Sequence, residues 1–312
     1  MKIICITQVK HLDGVYDLLE EFGNITYVPD ITKEELKSTL FETKTKYLFT
    51  NPNKQSFILD EEVLKDSNIK VINTCSTGTN HIDMKYCKEN NIEVWHLARD
   101  YELINQLPST AEHAFGLMLS LIRKIPMSFH SVKDGNWDYE PYIGRQLKGL
   151  TVGIIGYGRL GKMMETYCHA FGMTVKIHDP YEGYDDLDLV LRESDVISLH
   201  VHVTDKTVGM INEKTISKMK KKPYLINTSR GEVVYEKKVI EAIEEGKLSG
   251  YATDVIADEF GNIHNSKLIE FSMNPNRNVI ITPHVGGMTW EGQTKAYKWA
   301  INKFKGVQNE VN

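Results

Sequence analysis

The stretch Thr151–Asp179, TVGIIGYGRLGKMMETYCHAFGMTVKIHD, places a strand, a glycine turn, a helix, a second strand and an acid in immediate succession. Val152-Gly153-Ile154-Ile155 is a short apolar run of the kind found in buried strands. Gly156-Tyr157-Gly158-Arg159-Leu160-Gly161 follows at once, then a helix-like segment to about Ala170 and a second apolar run from Met173 to Ile177. This is the layout of a dinucleotide-binding βαβ unit. Gly156 permits the tight turn, Gly158 lets backbone approach a pyrophosphate, and Gly161 lets the helix pack closely on its strand. The helix N-terminus, with Arg159 and Leu160 at the turn, offers N–H groups and a positive dipole end to phosphates. Asp179 closes the second strand, where a carboxylate accepts hydrogen bonds from a ribose diol and repels a 2′-phosphate. NAD is therefore the expected cofactor.

A chain of 312 residues suffices for two ordinary domains with separate cores. Its 41% hydrophobic and 25% charged residues are those of a soluble globular protein, and a formal charge of −5 argues against a nucleic-acid-binding surface. No apolar stretch approaches the roughly 20 residues that span a membrane. The N-terminal Met1–Ile6 turns polar by Gln8 and reads as a first strand, not a signal peptide. Cys5, Cys75, Cys87 and Cys168 lack metal-ligand spacing, so no metal is expected, and they suit reduced, mostly buried thiols of a cytoplasmic protein.

Upstream of the glycine turn, short apolar runs alternate with helix-like segments through the first hundred residues, which implies a parallel sheet covered on both faces. Ser109 to Lys124, STAEHAFGLMLSLIRK, reads as a long helix capped by Ser109 or Thr110, and Lys133 to Tyr142 as a loop with aromatics able to reach a second subunit. Downstream, strands are expected near Val196–His200, Tyr224–Asn227, Gly250–Asp254 and Val279–Thr282, and a terminal helix over Trp290–Lys305. The expected organisation is two doubly wound α/β domains: a flavodoxin-like substrate domain over residues 1–102, completed by residues 288–312, and a Rossmann domain over 103–287. No internal repeat, low-complexity tract or appended regulatory domain is expected.

Ligands of such sheets bind at the carboxyl ends of the strands. Three of these ends carry chemistry: Thr228-Ser229-Arg230-Gly231, Asp254 with Glu259 five residues beyond it, and Pro283-His284-Val285-Gly286-Gly287. These segments resemble the D-isomer-specific 2-hydroxyacid dehydrogenases, which include phosphoglycerate, glycerate, D-lactate and formate dehydrogenases. The turn Cys75–Asp83 and the run Ser109-Thr110-Ala111-Glu112-His113 resemble further signatures of that family, so the likeness covers nearly the whole chain.

The resemblance implies an NAD-dependent oxidoreductase that interconverts a D-2-hydroxy acid and its 2-oxo acid in a cleft that closes over substrate. Arg230 would be the substrate arginine, Glu259 the orienting acid and His284 the acid/base; backbone N–H groups of Ser76, Thr77 and Gly78 would cradle the substrate carboxylate. Thr228, Ser229, Asp254, His284, Gly286 and Gly287 would line the cofactor, Asp254 facing the nicotinamide carboxamide, and a homodimer would form through residues 109–142. The residue types suit the reaction. A protonated histidine neutralises charge building on the carbonyl oxygen, Glu259 stabilises its cationic form, and arginine offers a fixed fork of donors to a planar carboxylate.

The chain also departs from the family. His202 replaces a common proline near the nucleotide edge, and Phe260 replaces the proline that commonly follows the acid. Glutamate at 259 argues against formate oxidation. The loop Thr50–Lys54 has one lysine and no arginine, which disfavours a phosphorylated substrate such as 3-phosphoglycerate without removing it. An NAD(H)-sensing binding protein of the corepressor type is the alternative from another functional class.

Overall fold

Parallel strands cannot be joined by tight turns, so each apolar run is followed by a helical crossover. The computed structural model describes residues 1–52, 57–259, 261 and 263–308; Lys54 and Phe260 lie outside the described residues. The chain divides into two compact units, Met1–Leu107 with Gly287–Asn312, and Pro108–Gly286. Among the described residues no helix is long and apolar enough to cross a membrane.

In the first unit the order is β1 (Lys2–Cys5), α1 (Val15–Glu20), β2 (Asn24–Tyr27), α2 (Lys33–Thr43), β3 (Tyr47–Thr50), α3 (Glu61–Leu64), β4 (Val71–Thr74), α4 (Met84–Glu89), β5 (Glu93–Trp95) and α5 (Tyr101–Ile104). Its five strands are all parallel in the order β2-β1-β3-β4-β5, the flavodoxin-like arrangement. Every residue of β4 is buried, as a strand covered on both faces requires.

The second unit contains α6 (Ser109–Ile122), α7 (Ile125–Lys133), β6 (Thr151–Ile155), α8 (Arg159–Ala170), β7 (Thr174–His178), α9 (Leu187–Glu193), β8 (Val196–Leu199), α10 (Glu213–Ile216), β9 (Tyr224–Asn227), α11 (Glu236–Glu244), β10 (Gly250–Thr253), α12 (Lys267–Ser272) and β11 (Val279–Ile281). Its six parallel strands run β11-β10-β9-β8-β6-β7. Because β6 has β7 on one side and β8 on the other, the winding direction reverses at the end of β6, where the glycine turn begins. The chain then returns to the first unit through α13 (Trp290–Asn302) and α14 (Phe304–Gln308).

Several local expectations are corrected. The units meet at 107/108 and 286/287, where the sequence suggested 102/103 and 287/288. Leu103 and Ile104 of α5 are buried in the first unit's core, which keeps that segment with it. Pro108 occupies the N-cap of α6, and neither Ser109 nor Thr110 caps the helix. Helix α7 was read as no element: none of its residues is buried, so its apolar side chains trace no core-facing stripe. The expected terminal helix breaks at Lys303.

The first unit's core is closed by its returning segment. Phe304 is fully buried, and its ring lies 5.7–6.2 Å from those of Phe22, Tyr47, Phe49 and Trp95. Phe304→Ala should therefore lower the unfolding free energy by about 3–5 kcal/mol, read as a lower urea midpoint. A shift below about 1 kcal/mol would mean that the terminal segment is not part of this core.

Candidate active site

The glycine turn has the sterics its spacing implied. Gly156 has φ +96°, which L side chains rarely adopt, and a Cβ there would lie 2.6 Å from the His200 backbone. A Cβ on Gly161 would lie 2.2 Å from the Gly156 carbonyl oxygen, so α8 can approach β6 only through glycine. A Cβ on Gly158 would meet nothing within 4 Å. Gly158 is the N-cap of the twelve-residue α8 and provides no side-chain cap, so the positive end of the helix dipole faces this turn. Asp179 accepts hydrogen bonds from the N–H groups of Tyr157 (2.7 Å), Tyr181 (2.9 Å) and Glu182 (3.2 Å). Burial alone would raise this carboxyl, but the three donors outweigh it and hold it below the ordinary carboxylate value. The turn is thus rigid, open and anionic at its far edge, which fits NAD. At the end of β9, the buried Thr228 hydroxyl has no partner among the described residues, as expected of a group that meets a ligand.

The three expected side chains emerge from adjacent strand ends. Asn227 closes β9 and organises the turn after it: its Oδ1 accepts from the N–H and the hydroxyl of Ser229, and its Nδ2 donates to the Arg230 carbonyl at 2.9 Å. The Arg230 guanidinium donates to the Ser229 carbonyl at 2.6 Å and has no carboxylate within ion-pair distance among the described residues. A Cβ on Gly231 would lie 2.0 Å from the Ile256 carbonyl carbon, so glycine brings this turn against the loop that carries Glu259. His284 Nδ1 and Glu259 Oε2 are 3.0 Å apart.

His284 itself has φ +53°, a left-handed conformation that costs an L residue about 1–2 kcal/mol. A buried carboxylate holds it there. Asp254 accepts from the N–H groups of Val285 (2.9 Å) and Gly286 (2.7 Å) and from the Thr282 hydroxyl (2.5 Å), while its own carbonyl accepts from the His284 N–H at 2.9 Å. His113, on α6, places Nε2 3.0 Å from the Thr282 hydroxyl and 3.4 Å from Asp254. Burial works against ionisation of Asp254, but these four donors prevail and hold its carboxyl below the ordinary value. Gly286 is required as well, because a Cβ would sit 2.9 Å from Asp254 Oδ2. The resemblance gives Asp254 a cofactor contact and names His113 only as part of a family signature. Their joint hold on the His284 turn links segments 169 residues apart and leaves no local signal.

In the first unit, Ser76, Thr77 and Gly78 form the turn after β4; Gly287 opens that unit's second segment. His202 is exposed in the loop after β8, and its carbonyl accepts from Thr207. His200, one residue beyond β8, is half-buried, and desolvation pushes its pKa down to about 4, which keeps the ring neutral. Cys75 is buried and its thiol is raised well above its usual value by desolvation, so it is no nucleophile.

Asparagine at 254 turns one of the two acceptor oxygens into an amide donor, so either the Val285 or the Gly286 N–H loses its acceptor and faces another donor. Asp254→Asn should therefore displace His284 and lower turnover on the order of 100-fold, with the fold retained by circular dichroism. Since the carboxyl is depressed in the folded state, its stabilisation is complete above the unfolded carboxylate value and is lost as pH falls through the folded one. The wild-type minus Asp254→Asn stability difference, measured by urea unfolding, should accordingly shrink on acidification; an equal difference at neutral and strongly acidic pH would contradict the clamp.

Residues 115–286 match the family described as D-isomer specific 2-hydroxyacid dehydrogenase, NAD binding domain. The chain is 33% identical to D-3-phosphoglycerate dehydrogenase of Methanocaldococcus jannaschii across 97% of its own length and 57% of that protein's. It is 35% identical to hydroxypyruvate reductase of Thermotoga maritima across 73% and 74% of the two chains. The crystal structure of Aquifex aeolicus D-lactate dehydrogenase complexed with NAD and lactic acid superposes with a TM-score of 0.81 at 31% identity, covering 99% of this chain and 96% of that one. The chain spans about half the length of the phosphoglycerate dehydrogenases it matches. With its glycine turn, its strand-end side chains and these likenesses, the chain belongs to the D-isomer specific 2-hydroxyacid dehydrogenase family.

Proposed function

We propose that this protein is an NAD-dependent oxidoreductase interconverting a D-2-hydroxy acid and its 2-oxo acid. The 3.0 Å contact between His284 Nδ1 and Glu259 carries the reading. It engages one ring nitrogen with an acceptor and so assigns proton transfer to Nε2. NAD, when bound, supplies or accepts the hydride. Everything else falls to the chain. His284 gives a proton to the carbonyl oxygen during reduction and takes it back during oxidation, while Glu259 orients the ring. Arg230, held by its turn without a competing carboxylate, binds the substrate carboxylate and polarises the carbonyl. To the backbone amides of Ser76, Thr77 and Gly78 we assign contacts with a substrate carboxylate.

We assign cofactor contacts to Gly156, Gly158, Arg159, Leu160, Gly161, Asp179, Thr228, Ser229, Asp254, His284, Gly286 and Gly287. The open Gly158, the uncapped α8 and the unpartnered Thr228 hydroxyl support this assignment. The four free, buried cysteines suit a reducing compartment, and we assign the cytoplasm. A second copy of the chain is the partner we assign to α7 and the segment after it, where Phe129, Trp137, Tyr139 and Ile143 are 60%, 92%, 76% and 66% exposed. Apolar exposure on this scale marks an interaction surface.

Three measurements test these assignments. A screen of NADH oxidation over 2-oxo acids should find turnover, and Arg230→Ala, His284→Ala and Glu259→Gln should each lower it far more than they weaken NADH binding. Near-normal turnover by the His284 variant would overturn the mechanism, and tight NADH binding without turnover of any 2-oxo acid would favour a sensor. NADH should be preferred to NADPH by at least about tenfold, and Asp179→Ala should narrow the ratio by removing roughly 1–2 kcal/mol of repulsion. Sedimentation should give a species of twice the 35.7 kDa chain mass, and Trp137→Glu with Phe129→Asp should shift it to monomer; a monomeric parent would rule out the dimer.

A further inference from the structure

Beneath the turn after β4 runs a chain of hydrogen bonds that the catalytic assignment leaves unused. His81 Nε2 lies 3.0 Å from Thr74 Oγ1, Thr74 Oγ1 lies 2.9 Å from Ser76 Oγ, and Ser76 Oγ lies 2.7 Å from the Gly78 carbonyl oxygen. Its direction follows from the protons available. A carbonyl only accepts, so the single Ser76 hydroxyl proton goes to Gly78. Ser76 must then accept from Thr74, and Thr74, its own proton spent, must accept from His81. The proton on the His81 ring therefore resides on Nε2. Both His81 and Thr74 are fully buried, where an incomplete chain would be costly and a complete one admits a single arrangement.

The consequence lies in the turn. The Gly78 carbonyl is drawn inward by Ser76, and the Ser76 carbonyl is held by the Leu97 N–H at 2.8 Å. Among the described residues no peptide bond is cis, and in a trans peptide the carbonyl and the following N–H point in opposite directions. The N–H of Thr79 is thus turned away from Ser76, and that of Thr77 away from Leu97. We propose that His81 and Thr74 are positioning residues that, by fixing the Gly78 carbonyl, set the path of the 76–79 turn whose amides meet the substrate carboxylate. This rests on the reading that the turn receives that carboxylate.

Thr74→Val in the full chain tests it, since valine keeps the volume and removes the hydroxyl at the centre of the relay. The expected result is a rise of about tenfold in KM for the 2-oxo acid, matching one lost hydrogen bond to a charged group. An equal weakening of oxamate, a carboxylate with no reducible ketone, should accompany it. Turnover number and NADH affinity should change less than about threefold, and Thr74→Ser should restore both losses. A merely structural hydroxyl would lower thermal stability without this separation of KM from kcat. Oxamate and substrate binding unchanged in Thr74→Val would overturn the proposal alone; a parent that neither turns over a 2-oxo acid nor binds oxamate would overturn the reading of the site and the proposal with it. Nitrogen-15 NMR of histidine-labelled protein supplies a readout independent of activity: His81 should show a protonated Nε2, and a ring protonated only at Nδ1 would refute the relay.

Discussion

The geometry around His284 depends on the buried carboxylate of Asp254. A histidine in the left-handed region is unfavourable by itself, and the turn that carries it leaves two further N–H groups to be satisfied. Asp254 meets both requirements, because one planar group accepts from consecutive amides and its own main chain accepts from the histidine. Such a charge is tolerated in the interior only when its lone pairs are filled. Thr282 and His113 complete that filling from β11 and α6. Orientation of the His284 ring is thereby tied to the register of the sheet, not to a loop free to adjust.

Close approach of backbone to backbone is the second constraint. Gly161 and Gly231 each stand where a single added carbon would meet another segment's backbone at 2.2 Å or less. At Gly161 the contact sets how near α8 comes to the strand, and so where the amides of its first turn lie. At Gly231 it brings the arginine turn against the segment leading to Glu259. The strand-end side chains borrow their precision from these contacts, since a side chain can be no better placed than the strand end that carries it.

How much of this could be read in advance depended on the range of the interaction. The strand–glycine–helix–strand–acid unit was legible because each residue answers a local steric or electrostatic demand within thirty positions. Parallel sheets followed from the alternation of apolar runs with helices, and Tyr224–Asn227 was placed to the residue. Position at strand ends drew out Arg230, Glu259 and His284, but their roles came only from family resemblance, since a strand-end arginine or histidine has many ordinary explanations. The structure adds the 3.0 Å contact that joins two of them. Helix α7 escaped because its apolar residues face away from its own unit's core. His113 and Thr282 escaped because nothing in either neighbourhood announces a partner 169 residues away.

The two units use the same device separately. In one, a histidine reaches a threonine hydroxyl, which reaches the carboxylate that holds a backbone turn; in the other, a histidine reaches a threonine hydroxyl, which reaches a serine that holds a backbone turn. The same proton count applies to both. Thr282 gives its only proton to an ionised carboxylate, which cannot donate, so His113 must donate through Nε2 just as His81 does. Apolar packing could fill either space at lower desolvation cost, but it tolerates small slides of one element past another. A directed chain of hydrogen bonds does not, because a displaced hydroxyl leaves two buried groups unsatisfied at once. That intolerance fixes the position of each turn against the sheet that carries it.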